Sequence, residues 1–260
     1  MNFLKNYLST LLFIFFAYLI YTSSDFHIDF MSGSLSFIFA EWTVKQIDIF
    51  YGILVLYIIC LVPYYIVYPF KSKARIVIAY FLKVVRGNRD YSEKEKTALL
   101  AWIVKLFFIP LMITWLSGHI FSMTNNVYNA YANVSLFSTD FLIFFNEYFF
   151  WTAFSLILFS DVLFFTLGYL LEAPFLKNTI RSVEPTIIGW AVAIFCYPPF
   201  NSHVTNLVGW YSNDFPSFGN PYVHVVMNIL ILLLMGIYAW ASFALGLKAS
   251  NLTNRGIVSK

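Results

Sequence analysis

Tyr222-Val-His-Val-Val-Met-Asn-Ile-Leu-Ile-Leu-Leu-Leu-Met-Gly-Ile-Tyr-Ala-Trp-Ala-Ser-Phe-Ala-Leu-Gly-Leu247 runs for 26 residues without Asp, Glu, Lys or Arg. As a helix it is about 39 Å long at 1.5 Å per residue, enough to cross a bilayer core of about 30 Å with some tilt. Gly236, Ala239, Ser242 and Gly246 recur at helical spacing and permit a close neighbour along one face. His224 and Asn228, at i and i+4, read as packing or solvent-contacting groups, because Asn is a poor transition-metal ligand and no carboxylate is near. The run ends in a polar tail, Lys248-Ala-Ser-Asn-Leu-Thr-Asn-Arg-Gly-Ile-Val-Ser-Lys260, with three basic residues and no acidic one.

The rest of the chain repeats this pattern. Of 260 residues, 60% are hydrophobic and only 11% charged, which places the sequence in the polytopic helical class. The expected fold is an all-α membrane bundle with spans near 3–21, 47–70, 97–116, 147–171, 185–208 and 222–247. Pro63 and Pro110 lie inside spans and predict kinks. Ser92-Glu-Lys-Glu95 is a capping box that starts the third span, and the polar stretch 117–140 reads as a connector. The weakest span is 185–208: thirteen residues before Pro198-Pro199 reach only about 20 Å, so it must continue past them with a kink or re-enter. Cys60 and Cys196, both in apolar runs, read as small buried hydrophobes. Asn133-Val-Ser135 matches a glycosylation triplet that is common by chance.

Charge placement gives an orientation. Residues 71–91 form an amphipathic helix: Lys71, Arg75, Lys83, Arg86 and Arg89 share one sector, with Ile76, Val77, Tyr80, Phe81 and Val84 outside it. This predicts a helix lying on an anionic leaflet rather than on nucleic acid, which would leave the apolar face exposed. With six spans and a cytoplasmic N-terminus, fourteen of the sixteen Lys and Arg lie inside, the tail included. Lys45 alone is outside, and Lys105 sits within the third span, able to snorkel toward the near interface.

Few residues point to chemistry. Asp161, Gly168 and Glu172 share one helix face, interrupted by Phe165. An intramembrane carboxylate needs a partner or a wet cavity, so Asp161 reads either as a cavity wall or as a buried interhelical hydrogen bond. Glu172, Arg181 and Glu184 read as cavity-lining groups or as loop ion pairs. No metal-ligand spacing, phosphate loop or serine elbow occurs.

The tail carries a resemblance. Gly246-Leu-Lys through Arg255-Gly256-Ile257-Val258-Ser259-Lys260, leaving a membrane helix, resembles the lead-in to the catalytic segment of isoprenylcysteine carboxyl methyltransferase-like membrane proteins. The blocks Gly168-Tyr-Leu-Leu-Glu172, Arg181-Ser-Val-Glu-Pro185 and Cys196-Tyr-Pro-Pro-Phe-Asn201 resemble bacterial multi-span members. The resemblance implies S-adenosylmethionine as cofactor, a lipid or lipidated acceptor at the cytoplasmic face, and a bacterial inner membrane. It sets Asn251, Arg255 and Gly256 at the edge of the cofactor site. The Gly-Pro-Tyr-Arg and Arg-His-Pro elements that follow in the family do not occur here, so no catalytic residue is carried over. The expectation is a fragment of a longer frame, or a module without the active half, with no methyltransferase activity of its own. The alternatives are a small transporter or permease built on Asp161 and kinks at Pro63, Pro110 and Pro198, or a non-catalytic scaffold held by its basic helix.

Overall fold

A computed structural model describes residues 2–133, 141–198, 200–209, 217–248 and 250–256. The residues Val134 and Ser135 of the glycosylation triplet, Pro199 and the lead-in residues Ile257 to Lys260 lie outside them. The described residues are mainly helical, with two short antiparallel strand pairs among them. α1 (Asn2–Ser23) and α2 (Asp25–Met31) lead into β1 (Ser34–Phe37) and β2 (Trp42–Lys45), an antiparallel pair. α3 (Gln46–Val67), α4 (Lys73–Val85) and α5 (Glu93–Asn133) follow. α6 (Phe141–Ile143), a π-helical turn and α7 (Phe150–Leu170) make one rod. Then come β3 (Ser182–Val183), α8 (Ile187–Phe195), α9 (Phe200–Val208), α10 (Pro221–Leu245) and β4 (Thr253–Asn254). Among the described residues, five rods are long and apolar enough to cross a membrane: α1, α3, α5, Phe141–Leu170 and Pro221–Lys248. Their outward faces carry large apolar side chains such as Leu56, Ile59, Ile66, Leu233 and Trp240, a surface that lipid accommodates and water does not.

Three elements differ from the sequence expectation. The third span does not stop near Leu116. α5 runs on to Asn133, 41 residues in all, because its polar second half has work in the fold. The Asn125 side chain accepts from Ile38 N–H at 3.1 Å and donates to Ser36 O at 3.4 Å, fastening the β1–β2 pair. Ser117 Oγ donates to Gln46 Oε1 at 2.9 Å. The fifth segment is two nine-residue helices separated at 196–199, each about 13 Å long and too short to span alone. Cys60 and Cys196 are exposed rather than buried. Pro63 and Pro110, by contrast, both remain inside continuous helices.

The basic amphipathic segment forms α4, N-capped by Ser72, whose hydroxyl accepts from Arg75 N–H at 3.2 Å. It is not only a surface helix: Ala74 and Val77 are buried, and the helix packs against α1 and α5.

Hydrogen bonds fix which helix ends lie together. Asn6 donates to Phe70 O at 2.6 Å and accepts from Ser72 N–H at 3.2 Å, joining the start of α1 to the end of the α3–α4 link. Lys73 pairs with Glu172, and Tyr169 is bonded to Asn251. The beginnings of α1 and α5 and the ends of α3, α7 and α10 therefore share one end of the bundle. At the opposite end Asn228 donates to Asn146 at 3.0 Å, pairing the start of α10 with the start of the α7 rod. Between Ile187 and Pro221 the chain must then return along the bundle. Tyr197 packs on Phe108 and Trp115, and Phe200 on Phe26, as α8 and α9 descend. The buried core lies between α5 and α7: Val104, Phe108, Leu111 and Met112 against Val162 and Tyr169.

Candidate functional site

The end of the bundle that collects these termini holds a cluster of charges. α7 stops at Leu170, and the next residues turn around the fully buried Asn178. Its side chain donates to Leu171 O at 2.6 Å and accepts from Ala173 N–H at 3.1 Å. That turn projects Glu172 inward. One carboxylate oxygen pairs with Lys73, from the first turn of α4, and accepts from Ile180 N–H at 3.2 Å. The other lies 3.4 Å from Lys105 Nζ on α5. Glu172 and Lys105 are only 13% and 14% exposed at their side chains. Burial alone would raise the Glu172 carboxyl, but Lys105, Lys73 and the Ile180 N–H outweigh it and hold its pKa at about 2. The Tyr64 hydroxyl donates to the Glu172 carbonyl, tying α3 to the same turn.

Around this triad lies a chamber of about 620 Å³. Its inner wall is aromatic, from Tyr57, Tyr64 and Tyr65 of α3 and Trp102 of α5. Its lining holds five cations (Lys71, Lys73, Lys94, Lys105 and Arg181) against two carboxylates, Glu93 and Glu172. Trp102 also packs on Phe13, with ring centroids 4.7 Å apart, and lies under the Lys105 ammonium at 5.7 Å. A cavity with excess positive charge at one end and aromatic walls toward the span interior favours an anionic, partly apolar guest.

The tail closes the neighbouring side. β3 and β4 pair antiparallel, Ser182 with Asn254 and Val183 with Thr253. Arg181 N–H donates to Asn254 O at 2.8 Å, and Glu184 N–H to Leu252 O at 2.7 Å. Asn251 N–H donates to the Tyr169 hydroxyl at 2.7 Å, and the Asn251 side chain donates to the Tyr197 hydroxyl. Arg255 is 2% exposed. Its Nη1 donates to Asn178 O at 2.7 Å, its Nε to Ser250 Oγ at 3.0 Å, and its guanidinium stacks over Tyr169 at 5.8 Å. Burial lowers its pKa from the ordinary guanidinium value, with Glu172 and Tyr169 opposing. Gly256 has φ of 73°, and a Cβ there would meet the Arg181 guanidinium carbon at 2.3 Å. Only glycine lets these groups stack so closely.

The structure thus separates the residues singled out in the sequence. Glu172 and Arg181 line the chamber. Glu184 lines a separate cleft between β3, β4 and the start of α5. Its carboxylate accepts from the hydroxyl and N–H of Thr186, which hold it below the usual carboxylate range. Asp161 is outside the chamber lining, between α7 and α10. It is 6% exposed, with Oδ2 accepting from the Tyr238 hydroxyl at 2.6 Å and Oδ1 without a partner. Asn251, Arg255 and Gly256 are joined to α7 and to the loop after it. Sequence reasoning missed the Lys73–Glu172–Lys105 triad. Its one signal was Lys105, a lone cation within a span, which requires a partner as well as a route to the interface. Among the described residues no group of three His, Cys, Asp or Glu side chains gathers as a metal site.

Comparison with known proteins finds no matching family model, no matching curated protein and no matching solved structure.

Proposed function

We propose that the chain binds a lipid or lipid-bearing acceptor in the basic end chamber, as the membrane part of a methyl-transfer protein of the kind its tail resembles. The observation that carries this reading is the chamber itself: five cations, two of them paired with Glu172, set against the aromatic inner ends of α3 and α5. A group reaching it from the bilayer would meet positive charge at interface depth, where an anionic head is stabilised. Under the positive-inside rule that end is cytoplasmic, with both chain termini; a bacterial inner membrane is what the resemblance of the tail implies.

S-adenosylmethionine would bring a methyl group already activated as a sulfonium, leaving the protein to align it and exclude water. The described residues do not fit that donor. The chamber is net basic, whereas the sulfonium is itself a cation; the Asn251 side chain is bonded to Tyr197, and Arg255 is bonded to Asn178 and Ser250, with its Nη2 buried and without a partner. No transfer step is therefore derived, and the part proposed for this chain is acceptor binding. The transporter reading rests on Asp161, whose free oxygen lies in a helix interface closed by Tyr238 rather than in the chamber.

The test is photo-crosslinking of the purified chain in nanodiscs with a lipid bearing a photoactivatable anionic head. Saturable labelling within 57–73, 94–105 and 172–182, lost in Lys94→Gln/Arg181→Gln, is the expected result. Labelling spread evenly over the lipid-facing helices would contradict the reading, as would labelling unchanged by the double variant.

A further inference from the structure

Two further cavities adjoin the chamber in turn, and Trp102 lines all three. A narrow apolar crevice of about 70 Å³ shares Tyr57, Trp102, Lys105 and Leu170 with the chamber. That crevice shares Ala17, Trp102 and Leu106 with a groove of about 540 Å³ between α1, α4 and α5. The groove is lined by apolar side chains throughout, among them Leu12, Phe16, Ile20, Phe81, Leu82 and Val85. These six are all exposed at the bundle surface. Charge thus falls away along one path: ion triad, Trp102, apolar groove. A guest that satisfies the whole path has an anionic head and a hydrocarbon chain.

From this succession of adjoining cavities we infer that the site takes one anionic lipid lengthwise, its head among Lys73, Lys105 and Arg181 and one acyl chain past Trp102 into the α1–α4–α5 groove. The proposal rests on the acceptor-binding reading above and adds the path of the chain. Trp102 acts as a positioning residue: its ring carries the Lys105 ammonium on one side and borders the apolar path on the other, so it sets where charge ends and hydrocarbon begins. Ala17 borders both the crevice and the groove but not the chamber, and a larger side chain there would narrow the space between crevice and groove.

Phosphatidic acids with 6-, 10- and 16-carbon chains, inorganic phosphate and 16-carbon phosphatidylcholine are the probes, titrated against the full chain in nanodiscs. Bound lipid is counted by native mass spectrometry, and a diazirine at the acyl terminus reports the position of the chain. The expected result is affinity rising at least tenfold from 6 to 16 carbons, weak binding of phosphate, and acyl labelling within 12–20 and 78–85. Ala17→Phe should lower 16-carbon binding about tenfold and leave 6-carbon binding unchanged. Head-specific binding with no dependence on chain length, or with acyl labels elsewhere, would overturn the chain path while leaving the chamber reading intact. Equal binding of phosphatidic acid and phosphatidylcholine would overturn both. The chain-length series uses only wild-type protein, so misfolding of the variant does not remove the test.

Discussion

Lys105 Nζ stands 3.4 Å from Glu172 Oε1, joining the inner part of α5 to the turn that follows α7. Lys73 approaches the same carboxylate from α4, so one acid ties together α4, α5 and the turn after α7. Two largely buried ammonium groups depend on it. Glu172→Gln should cost about 3–5 kcal/mol, the range for removing one partner of a buried pair. Glu172→Gln combined with Lys105→Met should recover part of that loss. Reversible unfolding in bicelles measures both, and a Glu172→Gln protein as stable as wild type would show the triad to be incidental.

The same carboxyl gives the fold a pH dependence. Its folded pKa, about 2, lies below the ordinary value of 4.5. The unfolded chain therefore binds the proton more readily, and stability falls as pH falls. The contribution is complete above about pH 4.5 and is lost progressively toward pH 2. Thermal unfolding between pH 7 and pH 2.5 should show this decline in wild type and a shallower one in Glu172→Gln.

Asp161 of α7 accepts from Tyr238 of α10 where the two helices pack, beside the ring contact of Phe164 with Phe243. Tyr238→Phe keeps the ring and removes the donor, leaving both Asp161 oxygens without a bond. The expected loss is about 1–3 kcal/mol. Asp161→Asn in the Tyr238→Phe background should restore stability, because a neutral amide is cheaper to bury than a carboxylate. The same unfolding measurement decides it.

Arg255 should act as the clasp of the tail. Arg255→Met removes the bonds to Asn178 O and Ser250, and amide exchange should rise across 250–256 and 181–184, the two sides of the β3–β4 pairing. Arg255→Lys should rescue little, since an ammonium cannot reproduce the planar fork that reaches both partners. Unchanged protection in either variant would mean that strand pairing holds the tail without the clasp.

The membrane class and most helix positions were legible because apolar runs state them directly. Tyr222 to Leu247 is the clearest case: Ala239 and Ser242 of its small-residue face are buried, while Gly236 and Gly246 have open space beside them. What the sequence hid was whatever depended on distant partners. Nothing local to Asn125 says that its amide holds residues 36–38, so the helix around it reads as a polar connector. Nothing local to Glu172 names Lys73 or Lys105, 99 and 67 positions away in sequence. Arg255 reads, through the resemblance, as the edge of a cofactor site until Asn178 and Tyr169 are placed around it. Two prolines in succession announced a break at 198–199, but not the descent of α8 and α9 past Phe108 and Phe26.

The central claim, that the chamber selects an anionic lipid by charge, is tested most directly by nanodisc competition between phosphatidic acid and phosphatidylcholine of equal chain length. Lys94 and Arg181 are exposed and lie outside the buried triad, so Lys94→Gln/Arg181→Gln changes the charge of the mouth without breaking the core. Wild type should prefer phosphatidic acid at least tenfold, with the preference weakening at high salt and falling severalfold in the double variant. Equal retention of the two lipids, or a preference that the double variant leaves untouched, would contradict the account.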